Sequence, residues 1–249
     1  MLSHEERSIL HKNQLAEVIC QFRFPDILII GTNPPARFQE MIRGVFPQYS
    51  IRKETTPNAQ KETINHQFST ADGIWRVNLT SNFISLSCRR YTRWEEFAQK
   101  LDTPLAAFIQ TYTPAFFSRI GLRYLNFISR NSLGLDDVPF SDLIQPCYLG
   151  PLADEDVNEK SINRCTVDAQ FPIRNGCTLN VHAGPGMVKR NGVAHNELHF
   201  IFDQDLFMSG NIPVNASTSA LNTLHRQAYS VFRGAITNTL FDAMEPEQI

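Results

Sequence analysis

From Trp75 to Leu79 and from Ile84 to Cys88 apolar and polar residues alternate with a period of two. Over residues 73–80, Trp75, Val77 and Leu79 fall on one side, opposite Arg76 and Asn78. Over residues 82–90, Ile84, Leu86 and Cys88 fall on one side, opposite Ser85, Ser87 and Arg89. A strand points successive side chains to opposite faces, so this pattern specifies two half-buried strands. Asp72-Gly73 and Ser81-Asn82 are the residues that tight hairpins require. An antiparallel sheet, apolar on one face and polar on the other, is the strongest structural demand this chain makes.

Other segments join that sheet. Residues 15–24 place Val18, Cys20, Phe22 and Phe24 together, with Glu17, Gln21 and Arg23 opposite and Pro25 as a stop. Further strands are predicted at 48–54, 62–70, 118–129, 163–172, 176–183 and 195–203, the last carrying Leu198, Phe200 and Phe202 on one side. The apolar run Ile27 to Ile30 is strand-sized, far short of a membrane span. Asn33 with Pro34 and Pro35 reads as a helix start, followed by Phe38, Met41, Ile42, Val45 and Phe46 at helical spacing. Thr92-x-x-Glu95 reads as a capping box for a helix burying Phe97, Leu101, Leu105 and Phe108, which Pro104 should kink or divide. A final helix over 217–243 carries Leu221, Leu224, Ala228, Val231, Phe232 and Leu240 as one stripe. Residues 130–161, rich in proline and acid, read as a surface excursion.

This order predicts an α+β fold in one domain over 1–249. Pseudo-repeat A (14–116) and pseudo-repeat B (117–244) each run strand, helix, three or four strands, helix. Together they would form an antiparallel curved sheet with helices on one face. Such an architecture resembles the saddle of the TATA-binding-protein fold, an analogy that carries no function.

The 23 basic and 25 acidic side chains give 23 − 25 = −2, which disfavours a strongly basic nucleic-acid binder. No apolar run of about eighteen residues occurs, so no membrane span is expected. The start of the chain has no signal-peptide core. The five cysteines are odd in number and form no CxxC pair, which fits a reduced cytoplasm better than a zinc site.

LAEVICQFRFP (15–25), PARFQEMIRGVFPQYS (35–50), Trp94-Glu95-Glu96-Phe97 and RIGLRYLNFI (119–128) resemble a family of uncharacterised, sporadically distributed bacterial proteins of similar length. The pattern from Leu224-His225 to Phe232 and Ile236-Thr237 is similar too. The resemblance implies a bacterial cytosolic accessory protein. Patchy occurrence points toward horizontally moved roles such as defence or toxin neutralisation. It implies no reaction and no cofactor.

Four constellations could carry chemistry. His195, Glu197 and His199 share one strand face at about 6–7 Å spacing, and His182 has the matching parity on 176–183. Histidines with a carboxylate can bind zinc or ferrous iron, and they equally make an ordinary solvated sheet face. Arg23, Arg76, Arg89, Arg119 and Arg123 all stand opposite the apolar set of their strands. Their planar donor forks suit phosphate or carboxylate, unless they merely pair with Glu17, Asp168 or Glu197. Gly184-Pro185-Gly186 to Gly192 could cradle a phosphate, yet it lacks the Gly-Lys-Ser/Thr of a Walker loop and reads as a hairpin loop. His225 sits at the edge of the last apolar stripe, as a structural histidine or a base. No G-x-S-x-G elbow occurs, and Cys20, Cys88 and Cys165 point coreward.

The expectation is a non-enzymatic binding module whose arginine-bearing sheet face takes a protein partner or small anionic ligand, nucleic acid being less favoured. The alternative is a metal-dependent enzyme using His182, His195, Glu197 and His199. No cofactor is indicated.

Overall fold

The computed structural model describes residues 1–55, 62–190 and 193–248, with side chains for all of these except 54, 55, 62, 189, 190 and 193–196. Its strands are β1 (Ser8–Leu10), β2 (Leu15–Arg23), β3 (Gln48–Thr55), β4 (Glu62–Ser69), β5 (Trp75–Leu79), β6 (Phe83–Cys88), β7 (Phe117–Ile128), β8 (Val167–Pro172), β9 (Thr178–Arg190), β10 (Val193–Ile212) and β11 (Pro246–Gln248). Its α-helices are α1 (Leu28–Thr32), α2 (Ala36–Ile42), α3 (Trp94–Tyr112), α4 (Arg130–Leu133), α5 (Pro146–Leu149), α6 (Ser217–Ala235) and α7 (Asn238–Ala243). Nine strands form an antiparallel sheet in the order β3-β4-β5-β6-β2-β7-β10-β9-β8, and β1 pairs with β11. The architecture is therefore mixed α+β. No helix among the described residues is long and apolar enough to cross a membrane.

The chain divides into two compact units, Glu17–Leu122 with Phe207–Asn222, and Met1–Ala16 with Arg123–Leu206 and Thr223–Ile249. In the first, alternation decides the core. Val18, Cys20 and Phe22 of β2 oppose Cys88, Leu86 and Ile84 of β6, which in turn oppose Trp75, Val77 and Leu79 of β5. All nine are buried, and α2 and α3 cover them. Phe38 of α2 meets Phe68 edge-on at 5.3 Å, Phe108 of α3 meets Phe24 at 4.6 Å, and Phe97 meets Trp75 at 5.6 Å. Burying each such side chain stabilises the fold by about 1.5–3 kcal/mol.

Several local expectations change here. The apolar run Ile27–Ile30 supplies the N-cap and first turn of α1, and only Ile30 of that helix is buried. Helix α3 runs unbroken through Pro104, which is itself buried. Its N-cap is Arg93, not Thr92, whose hydroxyl instead reaches Glu96 one turn inside.

In the second unit Phe200 and Phe202 of β10 take the core positions. Phe202 lies 6.0 Å from Phe232 of α6 and 5.1 Å from Tyr148, and Phe200 lies 5.4 Å from Phe140. Residues 130–161 are thus not a surface excursion, since Phe140, Leu143, Ile144, Tyr148 and Leu149 are all buried. The last helix is two helices. Ile236 leaves α6 to make a β-bridge with Ile144, and Thr237 restarts α7 by accepting from Leu240 N at 3.4 Å.

Candidate binding face

The first unit turns its apolar sheet face to α2 and α3, so everything of opposite parity lies on the other face. The register arranges those residues in rows. Gln48, Ser69, Arg76, Ser87 and Ile19 are aligned across β3, β4, β5, β6 and β2. Ser50, Gln67, Asn78, Ser85 and Gln21 form the next row. Arg52 opposes Asn65 and Phe83 opposes Arg23 in the row after it. The pattern is one of uncharged polar side chains studded with arginine.

Hydrogen bonds fix the amides of the middle row. Gln67 Nε2 donates to Asn78 Oδ1 at 3.0 Å and Asn65 Nδ2 donates to the same oxygen at 3.4 Å. Asn78 Nδ2 then donates to Ser85 Oγ at 3.3 Å. At the β2 end, Gln21 Oε1 accepts from Arg23 Nε at 2.9 Å. Asn65 Oδ1 is buried with no hydrogen-bond partner among the described residues. Leaving such an acceptor unsatisfied costs about 1–3 kcal/mol.

The five sequence-selected arginines have different fates. Arg76 is half-buried between Ser69 and Ser87, and it makes no hydrogen bond or ion pair among the described residues. Arg23 is exposed and engages only the neutral Gln21. Arg89 stands 3.9 Å from Glu17, too far for a hydrogen bond. Arg119 lays its guanidinium over the Phe207 ring at 4.4 Å. Arg123 belongs to the other unit, where Asp203 clamps it with both carboxylate oxygens. Sequence parity placed Arg76 and Arg23 on the face opposite the core, where the register also puts them. It did not single out Ser85, Ser87, Asn78 and Gln21, whose signal was small polar residues at two-residue spacing on strands with apolar partners on the other face.

The histidine–carboxylate set is divided among other partners. His182 Nδ1 pairs with Asp168 Oδ1 at 2.5 Å, residues that oppose each other in the β8–β9 register. Glu197 accepts from Ser129 Oγ with both oxygens at 2.9 Å, and from Asn131 N at 3.0 Å, which ties down the start of α4. His199 Nε2 stands 3.7 Å from Glu197 Oε2. The side chain of His195 lies outside the described residues. Among the described residues, no group of three or more His, Cys, Asp and Glu side chains is placed to hold a metal ion.

The glycine-rich segment is strand through Arg190, and the Asn191-Gly192 pair lies outside the described residues. Glycine is needed at 184 because a Cβ there would lie 2.2 Å from the Cys165 carbonyl oxygen. His225 bridges Tyr124 and Arg7 inside the second unit. Burial pushes the Cys88 thiol up to about 11 and raises Cys20 further, the reverse of what a nucleophile needs. The second unit also holds a cleft of about 520 Å³ lined by Asp136, Asp137, Asp154 and Glu155, with Arg130 bound to Glu159 at 2.5 Å. Compared with protein-family models and with curated proteins, the chain matches none.

Proposed function

We propose that this protein is a non-enzymatic binding module, and that the polar face of β2, β4, β5 and β6 is where it receives an anionic ligand or the acidic surface of a protein partner. The observation that carries this reading is Arg76, a half-buried guanidinium flanked across both neighbouring strands by serines. Burying a cation partly among neutral groups is unfavourable until an anion joins it. Arg23 on the same face adds a second cation held only by a neutral amide. The net charge of −2 keeps a long polyanion the weaker candidate, since each phosphate neutralised needs an uncompensated cation. A bacterial accessory role, as the segments 15–25 and 119–128 imply, is part of the proposal.

The proposal also reads 14–116 and 117–244 as pseudo-repeats. The order β2, α1–α2, β3–β6, α3 and the order β7, α4–α5, β8–β10, α6 support it.

The test is comparative capture. Wild-type protein and an Arg23→Glu/Arg76→Glu variant are immobilised, exposed to bacterial lysate and metabolite extract, and their retained molecules identified by mass spectrometry. Retention by wild type alone, with equal melting temperatures, is the expected result. Identical retained sets overturn the reading.

A further inference from the structure

We infer that the same face contains a phosphate-binding subsite, floored by Ser85 and Ser87 of β6 and walled by Arg76 of β5 and Gln21 of β2. The inference rests on the binding reading above and names its ligand class, a small phosphate monoester or inorganic phosphate.

The hydrogen bonds already formed on this face decide which polar groups remain available. β6 is a central strand, with β5 on one side and β2 on the other. Ser85 and Ser87 are two apart, so their hydroxyls emerge on one face at about 6.8 Å spacing. Arg76 stands directly across from Ser87, and Gln21 directly across from Ser85. Ser85 Oγ already accepts from Asn78 Nδ2, so its own proton is left to donate. Gln21 Oε1 already accepts from Arg23 Nε, so its NH₂ group is the end left over. Ser87 has no side-chain partner among the described residues, and Ser85 and Ser87 are 4% and 7% exposed, so only a ligand seated directly on this face reaches their hydroxyls. Arg76 offers only donors. Arg76, Ser85, Ser87 and Gln21 can therefore each donate here.

A ligand that fits must bring several acceptors and a negative charge. A carboxylate has two oxygens in one plane, and once the fork of Arg76 engages both, only their second lone pairs remain for the two hydroxyls. A phosphate monoester carries three terminal oxygens, enough for the fork and both hydroxyls. The nearby acids do not compete. Asp72 accepts from Thr70 Oγ1 at 2.5 Å and from Ile74 N at 3.0 Å in its own turn, and Glu17 faces Arg89.

The experiment is a calorimetric titration of the full chain with inorganic phosphate near neutral pH, at constant ionic strength, with acetate as the two-oxygen control. Arg76→Gln, Ser87→Ala and, as an exposed control at the end of α2, Arg43→Gln are titrated alongside. Saturable phosphate binding that falls about tenfold in Arg76→Gln and several-fold in Ser87→Ala, but not in Arg43→Gln, supports the subsite. No saturation by wild type up to about 10 mM phosphate overturns it, as does binding that Arg76→Gln leaves unchanged. If phosphate fails while the capture difference of the double charge reversal persists, only the ligand class is lost and the binding face stands. If both fail, the face itself is wrongly assigned.

Discussion

Tyr124 Oη stands 2.9 Å from His225 Nδ1, and Arg7 Nη1 stands 2.7 Å from Nε2 of the same ring. A guanidinium can only donate, so Nε2 accepts and the ring proton sits on Nδ1, directed at Tyr124. One histidine of α6 thereby fastens both β7 and the segment before β1. Ser3 N to Ser230 O at 2.9 Å and Glu5 to Arg233 at 2.8 Å continue that fastening along the helix.

Tyr124→Phe keeps the ring and its packing but removes the acceptor facing Nδ1. The expected loss is about 1–3 kcal/mol, because both partners are buried. Urea unfolding followed by circular dichroism checks it. A change below about 0.3 kcal/mol would show that the contact contributes nothing net.

His66 sets a pH dependence of stability. It is buried, donates from Nε2 to the Ile30 carbonyl at 3.0 Å and accepts at Nδ1 from Tyr49 Oη at 2.9 Å. Burial lowers its pKa below 6.5, outweighing the raising effect of the Ile30 carbonyl. The unfolded chain then binds the proton more readily than the folded one. Stability is full above pH 6.5, and it is lost as pH falls from there toward the lower folded value. Thermal unfolding across that window should show a decline that His66→Gln makes shallower. A wild-type decline of the same steepness in the variant would assign it to other groups.

The sheet was legible where alternation was strict. Val18-Cys20-Phe22, Trp75-Val77-Leu79 and Ile84-Leu86-Cys88 all took the buried positions that a period of two assigns. Legibility failed where polar residues entered the core or apolar ones left it. Strand β10 continues to Ile212, beyond the expected end at 203, because Gln204 occupies a buried position and broke the apolar signal. Leu28 and Ile29, in the apolar run that opens α1, are exposed. The site was half legible: parity gives a face, but only register shows that Arg76 stands opposite Ser87 and that Asp203 has taken Arg123. Pairing partners distant in sequence leave no trace in the pattern of either strand alone.

Arg123 tests the converse of Arg76. Its Nε donates to Asp203 Oδ1 at 2.7 Å, and its side chain is 44% exposed. Solvent screens the arginine side although Asp203 is only 15% exposed, so the pair contributes about 1 kcal/mol. Arg123→Ala should therefore lower the melting temperature only slightly and leave phosphate titration unchanged. A large loss of phosphate affinity in this variant would move the anion site away from Arg76.

Gly184 and Gly44 should respond to alanine in opposite directions. At 184 the new Cβ would lie 2.2 Å from the Cys165 carbonyl oxygen and 3.2 Å from Thr166 Cα, both backbone atoms that cannot swing aside. The strand would have to shift, at a cost of about 3 kcal/mol. At 44 no atom lies within 4 Å of the new Cβ. There alanine removes conformational freedom from the unfolded chain and should stabilise by about 0.4–1 kcal/mol. Denaturant titration of the two variants side by side measures the difference. Equal midpoints would mean that the close approach of β9 to Cys165 does not constrain the backbone at position 184.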